Sequence, residues 1–511
     1  MKQQDLFTPI ASHRLQSFSK EELILLFEGE QKLRLQFQKD NERFRATNSE
    51  LAQRALFVEE QYIVLRNKFF GKSSERSPSE EDRRRQNQKN IRKKKKVQLP
   101  SLRYPNAPLI EREVELKDLP SCKCCGSQMC DSGMTENSEF LTVVPAQHIV
   151  IRQKRHVYRC GKCHGDMRTA PAPPRITPKS SYSDEMVVDV ALSKYCDLIP
   201  IERYAAIAGR AGLMDLPPQS LIEMTHNLAD FTVGAYDKAA NEIKEALVLN
   251  ADETPQRMLE QVGDKKSWYL WGFSTRETCY FEIHNTRSGD VASDILINSK
   301  CEYLVSDVFS GYAKAVKQVN KERAKNNGPP IVNVYCNAHA RRKFNEAKEK
   351  FSEEAEFFID IYKRIYRLED IAKKYPSKIS RLRKLMVPLY ELMRTKAMAD
   401  IKGYSSKSSI GKAMGYFLKN YSQLTLFLEI QHLPIDNNSQ ESLFRNPVVG
   451  RKTWYGTHSE RGARTAAILF TLVEGCKLNK VNPREYFKKL VQDLHQGKAA
   501  FTPKEFKDLQ K

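Results

Sequence analysis

Between residues 21 and 70, apolar side chains return every seven positions, at Leu23, Phe37, Phe44, Leu51, Val58 and Leu65, with Glu30 the one miss. Four residues after each comes a second series, Phe27, Arg34, Asn41, Asn48, Ala55, Tyr62 and Phe69. No proline interrupts the stretch, and Gly29 is its interior breaker. A sustained heptad repeat predicts one long helix, and asparagines in the seam fix register and strand number. The reading is a dimerising coiled coil over 1–71; a helix packed on its own chain is the alternative.

The apolar period then stops. Residues 72–105 are polar and lysine-rich, with Arg83 to Arg85 and Arg92 to Lys96, which predicts a solvated linker able to touch phosphates. In 106–170 the runs 139–144 and 148–158 are rich in β-branched residues and predict strands. They lie between two C-x-x-C pairs, Cys122 with Cys125 and Cys160 with Cys163. Two such turns at the ends of a β-ribbon offer zinc four soft ligands, so a structural zinc is expected over unligated cysteines. Cys124, Cys130 and His164 are spare candidates. From 171 to 245 helices return, at 184–196, 201–211 and 219–231. The last two flank a glycine-containing turn, as in a helix-turn-helix or any small helical bundle.

From 246 the pattern is that of a sheet. The runs 246–251, 268–273, 278–283, 303–306 and 331–335 predict strand, hairpin, strand and strand, followed by a helix over 341–350. That order predicts an RNase H-like α/β domain over 246–471, with 472–511 a closing helical segment. Asp252 and Asp307 end the first and fourth of these strands. Side by side they would repel unless a cation lay between them, and magnesium prefers such oxygen ligands. A third carboxylate is needed, and Glu441 follows Asp436 or Asn437 as helix N-cap by about one turn. Arg445 lies four residues further on.

Composition sharpens the picture. The 511 residues carry a formal charge of +21, with a pI near 9.3, which favours a polyanionic partner and makes nucleic acid the first expectation. Residues 1–20 lack a secretory signal, and no run is long enough to span a bilayer, so a cytoplasmic protein without a membrane partner is expected. Its eleven cysteines then read as metal ligands and core thiols rather than disulfides.

The chain resembles the insertion sequence 66 family of bacterial transposases over nearly its whole length. The resemblance is carried by 251–254 (Ala-Asp-Glu-Thr), Ser306 and Asp307 with 310–312 (Ser-Gly-Tyr), 336–344 (Cys-Asn-Ala-His-Ala-Arg-Arg-Lys-Phe), 436–441 (Asp-Asn-Asn-Ser-Gln-Glu) and 450–454 (Gly-Arg-Lys-Thr-Trp). Residues 70–75, the Cys122–Cys125 knuckle and 472–490 also match. It implies a DDE transposase whose triad Asp252, Asp307 and Glu441 binds two magnesium ions, or manganese in their place. Residues 351–430 would be a helical insertion. His339, Arg341, Arg342 and Lys343 match the family's basic motif, and Arg445, Arg451 and Lys452 are further candidate DNA contacts. Partners would be double-stranded DNA at the element's terminal repeats and target, a second copy of the chain, and two small accessory proteins encoded nearby. Asn337 and Ser442 depart from the family's usual tryptophan and arginine, and Thr453 from its frequent asparagine. The competing readings are an RNase H-like nuclease that cuts without joining, and a DNA-binding regulator.

Overall fold

The computed structural model describes 167–260 and 267–510 without a break. Before them it describes 99–105, 108–111, 120–121, 123–128, 138–142, 147–159 and scattered positions from 19 to 43. The latter are helical from Lys20 onward, but the seam residues Phe37, Phe44, Leu51, Val58 and Leu65 lie outside the described residues. The chain divides into two units, Phe70–Arg152 and the remainder. In the smaller unit a single helical turn, Pro100–Arg103, is tied down by Ser101, whose N–H and hydroxyl both donate to the Glu139 carboxylate at 2.8 Å. Residues 123–125 form a turn closed by a bridge between Ser121 and Gln128. Of the two expected strands, the described 139–142 joins no ladder, and of 148–158 only the last two residues do, in β1 (Val157–Arg159), which pairs with β2 (Met167–Thr169). A β-branched run marks a potential strand, but a ladder also needs a partner edge.

The larger unit continues with α1 (Asp184–Tyr195), α2 (Ile201–Arg210), α3 (Pro218–Phe231) and α4 (Val233–Glu245). A five-stranded sheet follows, built from β3 (Val248–Gln256), β4 (Trp268–Ser274), β5 (Cys279–His284), β6 (Tyr303–Ser306) and β7 (Val332–Tyr335). Its order is β5-β4-β3-β6-β7, antiparallel through β5, β4 and β3 and parallel through β3, β6 and β7. The expected strand boundaries hold within two residues except at β3, which runs four residues past Asp252. Those residues pair with β4 alone, since the ladder to β6 ends at Asn250 opposite Val305. With one neighbour gone, Pro255 leaves no ladder bond unmade on that side.

Side chains alternate across this sheet as the pleat requires. Leu249, Ala251, Trp271, Phe273, Tyr280 and Leu304 face one core with α5 (Gly289–Ile297) and α6 (Ser310–Lys325). On the opposite face, Leu270, Cys279 and Phe281 pack against the long helix α14 (Glu460–Asn479) and against α1 and α3. Also on that face, Val305 and Val334 pack against α7 (Asn337–Ala347) and the helices α8 (Ser352–Lys374), α9 (Ile379–Asp400) and α10 (Ser409–Lys419). Two separate cores thus share one face, and β3 runs between them. Two short helices enter there, α12 (Asn438–Leu443) and α13 (Arg445–Thr453); α11 (Tyr421–Thr425) precedes them. The last elements are α15 (Pro483–His495) and α16 (Pro503–Leu509); Tyr486, Phe506 and, between the two helices, Phe501 join the core shared with α1 and α3.

Asn337, the departure from tryptophan, is wholly buried in the helical layer. Its amide donates to the carbonyls of Leu424 (2.8 Å) and Ile435 (3.1 Å), and its oxygen accepts from Tyr390 (2.9 Å). Arg383, almost fully buried, pairs with Glu369 at 2.9 Å and donates to the carbonyls of Phe427, Ile430, Gln431 and Leu433. That cluster holds the segment running into α12. Because removing one partner strands a buried charge, Arg383→Met should cost about 3–5 kcal/mol. Denaturant titration is expected to show this loss, with the smaller penalty for Glu369→Gln; equal, sub-kilocalorie effects would contradict the anchoring role.

Candidate active site

The register of the sheet sets the geometry. Asp252 lies two residues beyond Asn250 on β3, and Asp307 two beyond the paired Val305 on β6, so both carboxylates face the cleft between the two cores. Directly across β4 from Asp252 is Gly272. A Cβ there would stand 2.3 Å from Gln440 Nε2 and 2.7 Å from the Phe444 ring. The missing side chain is therefore the slot into which α12 docks, and docking Gln440 there brings its neighbour Glu441 to the same face.

Asn437 locks this arrangement. Instead of capping α12 with its side chain, it accepts from Asn250 Nδ2 (2.8 Å) and donates to the Ala251 carbonyl (2.9 Å). Its backbone N–H donates to the buried Cys336 Sγ at 3.2 Å, joining β3, α12 and the start of α7. On the opposite face Glu253 is braced by Tyr312 Oη (2.6 Å) and Arg287 Nη2 (2.6 Å), and the Arg287 guanidinium lies 4.2 Å over the Phe309 ring. Phe309 N–H in turn donates to Asp307 Oδ1 at 2.9 Å. The paired runs 251–254 and 310–312 are thus one network that positions the two aspartates.

Electrostatics marks the cluster as incomplete by itself. Burial first, and then the charges of Glu253, Asp307 and Glu441, push the Asp252 carboxyl up to about 8, against the opposing effect of the Glu253 N–H. Glu441 Oε1 is buried and accepts no hydrogen bond. Oxygen donors that raise one another's proton affinity suit a hard divalent cation, so Asp252, Asp307 and Glu441 fit magnesium chemically. The basic side chains nearest Glu441 come from α7: His339 Nδ1 stands 3.7 Å from Oε1 and Arg342 Nη2 3.6 Å from Oε2.

Arg445 is not among them. Pro447 has no N–H to offer the Leu443 carbonyl, the helix breaks at Phe444, and Arg445 starts α13 exposed to solvent. Arg341 lies over Tyr366 and Lys343 over Tyr416, 5.4 and 4.9 Å from the ring centroids. Arg451 donates to Thr254 Oγ1 at 3.2 Å, and Lys452 is exposed. Ser442 turns its hydroxyl back to the Ser439 carbonyl, and Thr453 does the same to Val449. On α3 the outer residues Glu223 and Asp230 pair with Arg461, and His226 is held by Thr465 at 2.7 Å.

Of the four expected zinc ligands, Cys125 sits in the 123–125 turn, just before Gly126 at φ +73°. A glycine in the left-handed region is what a tight metal knuckle requires of its backbone. Cys122, Cys160 and Cys163 lie outside the described residues.

Comparison with known families decides the affiliation. The model of the transposase IS66 family matches residues 179–465, more than half of the 511. The chain belongs to the IS66 transposase family. The model of the zinc-finger binding domain of transposase IS66 matches 120–164, which supports a structural zinc in this segment. Three proteins of Sinorhizobium fredii (strain NBRC 101917 / NGR234), each named only as uncharacterised, are similar. With y4hP the identity is 24% over 410 residues, covering 75% of this chain and 72% of that protein. With y4jD it is 25% over 387 residues (74% and 75%), and with y4qI 27% over 381 (71% and 68%). Among the described residues no helix is long and apolar enough to cross a membrane.

Two outcomes follow from the geometry. An Asp252 carboxyl at about 8 in the fold, against about 3.9 unfolded, favours its proton when folded. Its contribution in chelator is therefore greatest below pH 4 and falls as pH rises to 8. Asp252→Asn should melt above wild type at pH 8 in chelator, converge with it near pH 4, and gain less from magnesium. Melting curves showing wild type ahead at pH 8 in chelator would sink this. Gly272→Ala should cost about 1–3 kcal/mol by overpacking and displace α12; unchanged stability with unchanged Gln440 contacts in a crystal structure would refute the slot.

Proposed function

We propose that this chain cleaves DNA at the ends of an insertion sequence and joins the freed ends to target DNA. What supports the reading is the sheet register, which sets Asp252 and Asp307 two residues past the paired Asn250 and Val305, together with the charges of Asp307 and Glu441 that help raise the Asp252 carboxyl. The sheet order β5-β4-β3-β6-β7, with Asp252 on the central strand β3 and Asp307 directly after the adjacent β6, supports an RNase H-like catalytic domain. Membership of a transposase family supports DNA as the substrate.

In this reading Asp252, Asp307 and Glu441 hold two magnesium ions, with manganese able to replace them. Bound there, such ions would supply activation of the attacking oxygen and stabilisation of the leaving one. The chain's own residues orient the phosphodiester. Arg342, half exposed beside Glu441, is the side chain best placed to pair with a phosphate entering the cleft, through a two-pronged contact. Lys343, Arg451, Lys452 and Arg445 extend the positive rim along which the backbone would run. Water forms the new bond to phosphorus in the first step, and the DNA 3′-oxygen leaves as a hydroxyl. That hydroxyl attacks a target phosphodiester in the second, breaking its bond to the target strand's 3′-oxygen, which leaves as a hydroxyl, so the protein donates no nucleophile.

The zinc-finger segment and the helices α2 and α3 would supply recognition of the element ends, and the coiled coil expected from the heptad pattern a second copy of the chain. Holding two ends together makes the second binding event intramolecular.

The test is nicking of a labelled fragment carrying the gene's flanking inverted repeats, in magnesium, by wild type and Glu441→Gln. Products of the small neighbouring genes are added to both. Site-specific cutting with a 3′-hydroxyl product, lost in the variant, is the expected result. Losses of about 10²–10³-fold are typical when a group that stabilises the transition state is removed. Equal cutting by both proteins would show that Glu441 is the wrong carboxylate, and tight repeat binding without any cutting would favour a regulator.

A further inference from the structure

Among the described residues, one group of candidate metal ligands is tight enough for every donor atom to lie within 4.8 Å of the others: Cys336, His339 and Glu441. Cys336 and His339 belong to the first turn of α7, where N-cap and third helical position bring both toward α12. His339 Nδ1 and Glu441 Oε1 face each other at 3.7 Å, too far to share a hydrogen bond, and both are buried without any partner. Two lone-pair-bearing atoms shielded from water and left unpaired are costly unless something else sits between them. Cys336 Sγ accepts the Asn437 N–H at 3.2 Å, while burial pushes its thiol up to about 12, so the sulfur is a neutral thiol until an ion displaces the proton.

The spacing matches a particular kind of ion. Bonds of about 2.0–2.2 Å to nitrogen and oxygen and 2.3 Å to sulfur, at tetrahedral angles, set donors roughly 3.3–3.8 Å apart. The donor set is one thiol, one imidazole and one carboxylate, a borderline-soft set that magnesium does not choose and zinc does. Arg342 sits on the other oxygen of the same carboxylate, leaving Oε1 to this group.

We propose that Cys336, His339 and Glu441 form a site for a thiophilic divalent ion, zinc in the first instance, that competes with magnesium for Glu441 and holds the enzyme inactive. Binding replaces the Cys336 S–H proton, which passes to solvent, and forms bonds from Sγ, Nδ1 and Oε1, with water completing the tetrahedron. No redox change is involved. The carboxylate that the proposed function assigns to catalysis is then turned toward α7, so the regulatory claim rests on that reading while the metal site itself does not.

The test uses the full-length protein with its zinc finger loaded and loosely held zinc then removed by a weak chelator, Cys336→Ser, which keeps an acceptor for Asn437 N–H, and Cys336→Ala. Cobalt(II) added to one equivalent should give a thiolate-to-cobalt absorption band in wild type, displaced by zinc. In both variants the band should be lost, with metal affinity lowered by at least roughly tenfold. In magnesium-supported nicking, zinc should inhibit wild type reversibly to chelator and leave Cys336→Ser active. Absence of the band, or a band equal in all three proteins and so arising from the zinc-finger cysteines, overturns the proposal. Zinc inhibition of equal strength in wild type and Cys336→Ser overturns the regulatory role. A protein that never nicks DNA yet shows the Cys336-dependent band would retire the proposed function and keep the metal site.

Discussion

The structure turns on the register of one strand. β3 pairs antiparallel with β4 and parallel with β6, and that double register puts Asp252 opposite Gly272 and level with Asp307 on one face. Because side chains alternate, a slip of one residue would send the aspartates into the apolar core against Trp271 and Tyr312 and bring Ala251 into the cleft. The apolar positions Leu249, Ala251 and Leu304 therefore secure the polar ones, and the same alternation that builds the core builds the site.

Around that register the fold tolerates an expensive arrangement. Acidic groups share a half-buried cleft, and Asp252 is driven toward its protonated form. Nothing about this favours folding of the metal-free chain. Compensation comes from the flanks, where two large apolar cores grip the sheet on either side of the cleft and leave α12 suspended between them. Asn437, Arg383 and Asn337 replace apolar contact with directed hydrogen bonds at the points where the suspended segment meets β3, α7 and α9. The site is therefore anchored at its supports and electrostatically strained at its centre.

Much of this was legible in the sequence. The strands of the sheet read directly from short apolar runs, and Asp252 and Asp307 stood out because each ends one. Helices α1 to α3 were legible from their periodicity and their proline and glycine boundaries. Glu441 was different: a glutamate in a short polar helix resembles any surface charge, and only its motif marked it. What failed to show has physical causes. Gly272 reads as a weak point in a strand until α12 is seen to fill its space. Arg445 reads as a neighbour of Glu441 only if the helix continues, and Pro447 stops it; the neighbours come from α7, more than ninety residues earlier, as His339 and Arg342. The Asn437 side chain was free for β3 because α12 goes without a side-chain cap. No periodicity encodes contacts of that range.

The central claim is that Asp252, Asp307 and Glu441 together hold a pair of hard divalent ions. Its most direct test is a crystal of the protein soaked in manganese, read by anomalous scattering. The account predicts two peaks about 3.5–4 Å apart, ligated by these three carboxylates, with both weakened in Asp307→Asn. Manganese sites elsewhere, or none at these residues at saturating metal, would contradict it.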